Sequence, residues 1–163
     1  MAFNLKRTLV RLIPFRSSKI VGGNVLKLMT RSLRKEMSGR MTNAFIKLLL
    51  RALDTIFLLY KDYREKNIKD FGGRYLFRTA DNVVSASATF KNGDMKLPKQ
   101  AIKDWDVRVT FKNSAALKDF IFSRDQDILD SLLKNEVEVD GNLNYIYKFG
   151  FMARDLGHRL GVV

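Results

Sequence analysis

The hydrophobic period of this chain changes at residues 70–73 (DFGG), and that change separates two kinds of structure. Before it, apolar residues recur every three or four positions, as on one face of a helix; after it they alternate, as on a half-buried strand. Helical segments that precede strands and return after them predict an α/β protein of the α+β kind, with helices laid on a mostly antiparallel sheet.

The helical part falls into three segments. Residues 4–13 place Leu5, Leu9, Leu12 and Ile13 on one face and Lys6, Arg7 and Arg11 on the other, and Pro14 closes or kinks the segment. Gly22-Gly23 reads as a breaker, so a second helix is expected from Asn24, with Val25, Met29, Leu33 and Met37 every four residues. A third is expected over 42–63. Its polar face is only Lys47, Arg51, Asp54 and Lys61, so it needs cover on more than one side, as a central core helix would have.

Strands are expected at 74–80, 83–91, 94–97 and 106–112. Val84, Ala86, Ala88 and Phe90 share one face, with Ser85, Ser87 and Thr89 on the other. Asn92-Gly93 predicts a tight hairpin, and Gly72-Gly73 a turn or hinge. Ser114 is expected to cap a short helix carrying Leu117, Phe120 and Ile121. A second short helix with Ile128, Leu129, Leu132 and Leu133 precedes a brief strand at Val137 and Val139. The last helix is expected from Leu143 to about Leu156.

Charge is as uneven as the pattern. The chain has 163 residues and a formal net charge of +13. Residues 1–66 hold 15 basic and 4 acidic side chains, and 67–163 hold 15 and 13. A nearly neutral domain over 67–163 thus follows a cationic amphipathic extension over 1–66, which suits an anionic partner such as a membrane surface, a nucleic acid or an acidic protein. No stretch reaches the length of an uncharged spanning helix. The Arg-rich, acid-free start also matches a mitochondrial transit segment; a cytoplasmic protein peripheral at the membrane fits equally.

Catalytic chemistry finds little to work with. The absence of Cys excludes a disulfide scaffold and a thiolate nucleophile, and the single His, His158, leaves no room for His-rich metal sites. His158 reads as a solvated residue near a helix end. Asp125, Asp127 and Asp130 lack the spacing of a calcium loop and read as helix-capping acids. Asp104 and Asp106 share a side of Trp105 with no partner base to name, so a turn is the better reading. Phosphate-cradling Gly motifs are missing. The expectation is a protein without enzymatic activity, cofactor or metal.

The order of elements and several residues carry a resemblance. Asp106 leading a strand, Ser114 starting a helix, and Val137-Glu138-Val139-Asp140-Gly141 before a final helix resemble the sterol carrier protein type 2 domain family over roughly 70–158. The chain departs from that pattern at Lys134-Asn135-Glu136, where Gly is frequent, and at Asn142, where an acid is frequent. The resemblance implies a five-stranded, mainly antiparallel sheet with helices on one face, around a tunnel for sterols, acyl chains or other lipids. The basic lead-in is similar to that of bacterial members that act as lipid-binding accessory factors, including in isoprenoid quinone synthesis.

A tunnel of that kind would be lined by Leu49, Leu53 and Phe57 of the third helix and by Phe77, Phe90, Val109 and Phe111 of the strands. Leu117, Phe120, Ile128 and Leu132 of the short helices, and Tyr145, Phe149 and Met152 of the last, would complete it. A packed core uses the same residue types. On a membrane, Leu5, Leu9, Leu12 and Ile13 would enter the headgroup boundary while Lys6, Arg7, Arg11 and Arg16 meet anionic lipid. A nucleic-acid module is the weaker alternative, because 1–43 offers only Phe3 and Phe15 for stacking. A third reading is an interaction scaffold or homodimer in which the third helix and the arm dock protein.

Overall fold

The structure, a computed structural model, describes residues 15–37, 43–122 and 128–161. Helices α1 (Phe15–Met37), α2 (Asn43–Leu59) and α3 (Lys61–Ile68) precede strands β1 (Gly73–Thr79), β2 (Ser85–Lys91), β3 (Asp94–Lys96) and β4 (Val107–Phe111). Then come α4 (Ser114–Phe122), α5 (Ile128–Leu133), β5 (Val137–Gly141) and α6 (Leu143–Leu160).

The strands form one sheet in the order β3-β2-β1-β4-β5. Only β1 and β4 run parallel; the other three pairings are antiparallel. Alternation fixes which side faces the core. Tyr75, Phe77, Ala86, Ala88, Phe90, Val107, Val109 and Phe111 point inward and are buried. Helices α2, α4 and α6 pack on this inner face. Arg74, Arg78, Ser85, Ser87, Arg108 and Asp140 point the other way. The connection 97–106 crosses this outer face, where Ile102 N–H donates to Ser87 Oγ at 3.1 Å.

Helix α2 takes the central place that its narrow polar face calls for: Phe45, Ile46, Leu49, Leu50, Ala52, Leu53, Ile56 and Phe57 are all buried. It does not run on to residue 63. Tyr60 adopts an extended conformation (φ −117°, ψ 91°) and splits the segment into α2 and α3. The break brings the Tyr63 ring to stack on Phe57, with centroids 5.4 Å apart.

Gly22-Gly23 does not break the helix, and α1 begins at Phe15 rather than Asn24. A glycine inside a helix costs about 1 kcal/mol. Leu33 is buried against the core, and Leu26 and Met29 pack on it, so tertiary contact outweighs that local cost. Asn113, not Ser114, caps α4: Ala116 N–H donates to Asn113 Oδ1 at 3.0 Å. Gly73 belongs to a strand rather than a turn. Helix α6 continues four residues past Leu156 and ends on Gly161 in the left-handed conformation (φ 62°). The predicted hairpin is there, with Asn92 and Gly93 both at positive φ (53° and 73°).

Candidate functional site

The inner face of the sheet is a continuous aromatic surface. Tyr75 and Phe77 on β1 stack with centroids 5.6 Å apart, and Phe77 meets Phe149 of α6 at 4.4 Å. Phe90 lies edge-on to Phe57 and to Tyr75, at 6.5 and 5.5 Å. A polar bond crosses this layer: the Tyr75 hydroxyl donates to the Tyr145 carbonyl at 2.9 Å and ties the central strand to the last helix. Burial holds the Tyr75 hydroxyl well above the ordinary tyrosine range, so it remains a donor. Burial also pushes up Tyr63, helped by the nearby Asp155 carboxylate.

The fourteen interior candidates come together here. Leu49, Leu53, Phe57, Phe77, Phe90, Val109, Phe111, Leu117, Phe120, Ile128, Phe149 and Met152 are buried in one apolar cluster, and Leu132 and Tyr145 pack half-buried against it. The membrane candidates Leu5, Lys6, Arg7, Leu9, Arg11, Leu12 and Ile13 lie outside the described residues; Arg16 falls in α1, where its side chain is not described.

The outer face is built from ion pairs. Arg74 Nε and Nη2 donate to Asp106 at 3.0 and 2.7 Å, its backbone N–H adds a third bond at 2.8 Å, and Nη1 reaches Asp104 at 2.6 Å. Asp104 and Asp106 are therefore partners of one guanidinium. Sequence gave no reason to choose Arg74, which is thirty residues away. Arg74 holds the Asp106 carboxyl below the ordinary carboxylate range. Arg108 repeats the arrangement, donating to Asp140 at 2.8 Å with its guanidinium over the Trp105 ring at 4.9 Å.

His158 is exposed in the last turn of α6. Asp130 pairs with Lys134 at 2.6 Å, and Asp125 and Asp127 lie outside the described residues. Among the described residues no group of three or more His, Cys, Asp or Glu could hold a metal ion, and no helix is long and apolar enough to cross a membrane.

A cleft of about 190 Å³ opens beside β2, between α2 and the segment after β3. Lys47 and Arg51 flank it from α2, Ser85 and Ser87 from the strand, and Lys99 from the segment. In the sequence Lys47 and Arg51 read only as the polar side of a core helix. No local signal linked them to Lys99.

No family model and no curated protein matches the chain. Solved structures do. A structure described as UbiJ-SCP2, a ubiquinone synthesis protein, superposes with a TM-score of 0.51 at 19% identity, covering 70% of this chain and 94% of that one. A palmitated SCP2L2 from Aedes aegypti gives 0.45 at 13% identity, over 64% of this chain and 90% of that one. The sterol carrier protein domain 2 of Helicoverpa armigera gives 0.44 at 12%, over 72% and 90%.

The fold is that of an α+β protein with a five-stranded mixed sheet covered by helices on one side. Within that class it is the sterol carrier protein type 2 fold.

Proposed function

We propose that this protein binds a hydrophobic lipid in its interior and presents or transfers it without catalysing a reaction on it. One observation carries the reading. The aliphatic and aromatic side chains of α2, β1, β2, β4 and α6 converge on a single inner face, crossed by the Tyr75–Tyr145 hydrogen bond. A surface of this composition accepts an acyl, sterol or isoprenoid chain and orients it through very few polar groups. The fold likeness points the same way. In this reading the basic N-terminal helices rest on anionic membrane. Val25 and Leu28 on α1 are exposed beside Lys27 and Arg31, the mixture of apolar and cationic side chains that an interfacial helix carries.

Native mass spectrometry of protein purified without detergent, followed by organic extraction, tests the interior. A co-purifying lipid or quinone near one-to-one is the expected result. An apo mass with no uptake of fluorescent fatty acid or sterol would make the inner face a packed core and nothing more.

A further inference from the structure

The cleft beside β2 exists because of a proline. Thr89 pairs with Lys96, and continuing that register would set Pro98 opposite Ser87. Proline has no N–H to give the ladder, so β3 stops at Lys96 and the chain lifts away. The outer backbone edge of β2 before Thr89 is left without a neighbouring strand.

Charge collects at this opening. Lys47 and Arg51 stand one turn apart on α2 and line the cleft together with Lys99, and no acidic residue lines it. Three cations elsewhere are used differently: Arg74, Arg108 and Arg159 each hold an aspartate within 3 Å. Among the described residues no carboxylate pairs with Lys47, Arg51 or Lys99. Ser85 and Ser87 line the strand side, Ser87 Oγ accepting from Ile102 N–H.

We propose that this cleft binds a phosphate group, at a site separate from the apolar interior. An arginine fork offers two parallel N–H bonds to a pair of anionic oxygens, and a phosphate has further oxygens for two ammonium groups and a hydroxyl. A carboxylate would leave several of these donors unused. The volume admits a phosphate with a short polar substituent. The phosphate belongs either to a small soluble ester or to a phospholipid headgroup.

Acetylation footprinting of the full chain, read lysine by lysine by mass spectrometry, distinguishes the sources. Inorganic phosphate and glycerol 3-phosphate are titrated at constant ionic strength in one arm. Phosphatidylglycerol vesicles, with phosphatidylcholine vesicles as control, form the other. Saturable protection of Lys47 and Lys99, but not of exposed Lys91 and Lys112, is expected. Protection by the soluble probes assigns a soluble ester, and protection by phosphatidylglycerol alone assigns a headgroup. Arg51→Gln, at an exposed position, should weaken the protecting interaction by about tenfold, the order expected for losing a charge-assisted fork, with the unfolding midpoint unchanged. Failure of both the soluble probes and the phosphatidylglycerol vesicles to protect, equal protection of all four lysines, or full protection in Arg51→Gln overturns the proposal. Lipid co-purification reads the interior separately and should be unaffected by Arg51→Gln.

Discussion

Gly141 lies against the carbonyl oxygen of Asp106, with no room for a side chain between them. Its φ is +105°, and a Cβ there would meet that oxygen and the Cα of Val107, its partner across the β4–β5 ladder. Both halves of the contact belong to the residues through which the sequence resembles the sterol carrier protein type 2 family. Gly141→Ala therefore combines a disfavoured backbone conformation with a backbone clash. It should cost on the order of 2–4 kcal/mol, read as a shifted urea midpoint. An unchanged midpoint would mean that β5 can move away from β4 freely.

Asp106 also gives the fold an acid-sensitive joint. Its bonds to Arg74 lower its folded pKa below the unfolded value, with side-chain hydrogen bonding the largest cause. The stability it contributes is thus fully present above its unfolded pKa, near pH 4, and is lost as pH falls through the lower folded value. Asp106→Ala should remove on the order of 1–2 kcal/mol at pH 7. Urea unfolding from pH 7 to pH 2.5 should show the gap between variant and parent closing in acid. A gap constant with pH would assign the loss to packing instead.

Gly73 has an aromatic counterpart to the Gly141 contact. A Cβ at this position would run into the edge of the Tyr145 ring, itself packed against Phe71 and Tyr75 at 5.7 and 5.6 Å. Gly73→Ala should cost about 1–3 kcal/mol through overpacking. The same change in a Tyr145→Ala background should cost distinctly less, because the ring that blocks it is gone. Equal costs in the two backgrounds would show that the ring swings aside.

Phe149→Ala addresses the interior. Removing this ring opposite Phe77 should destabilise the lipid-free protein by about 3–5 kcal/mol. If lipid occupies the same space, saturating fatty acid recovers part of that loss, because a ligand that binds only the folded state stabilises it. Thermal melts with and without ligand give the comparison. Equal stabilisation of parent and variant by the lipid would place the lipid elsewhere.

The arm is tested by its charge. Replacing Arg7, Arg11 and Arg16 with Ser should release the protein from anionic vesicles in co-sedimentation. The expected loss is about 1 kcal/mol for each basic residue engaged at the surface. Added salt should mimic the substitutions by screening. Unchanged co-sedimentation would leave the arm without a membrane role.

Most elements are legible in the sequence. The period change after Ile68, the alternation in 83–91 and the Asn92-Gly93 signal depend on neighbours in sequence, so local pattern suffices to read them. Two of the differences share one cause. Gly22-Gly23 continues a helix because α1 rests on a distant core, and the 42–63 segment breaks at Tyr60, where Tyr63 goes on to stack on Phe57. Tertiary contact overrode local preference at both places.

The site divides in the same way. Hydrophobic alternation by itself determined that Val84, Ala86, Ala88 and Phe90 share the inward face of their strand. It also determined that positive charge concentrates before residue 67. Only the tertiary structure decided that Arg74 closes on Asp104 and Asp106, that Tyr75 reaches the Tyr145 carbonyl, and that Lys99 joins Lys47 and Arg51 around one cleft. The physical reason is range. Periodicity records a residue's relation to solvent along its own element, whereas a directional bond or a cluster of like charges depends on how remote elements are set beside one another.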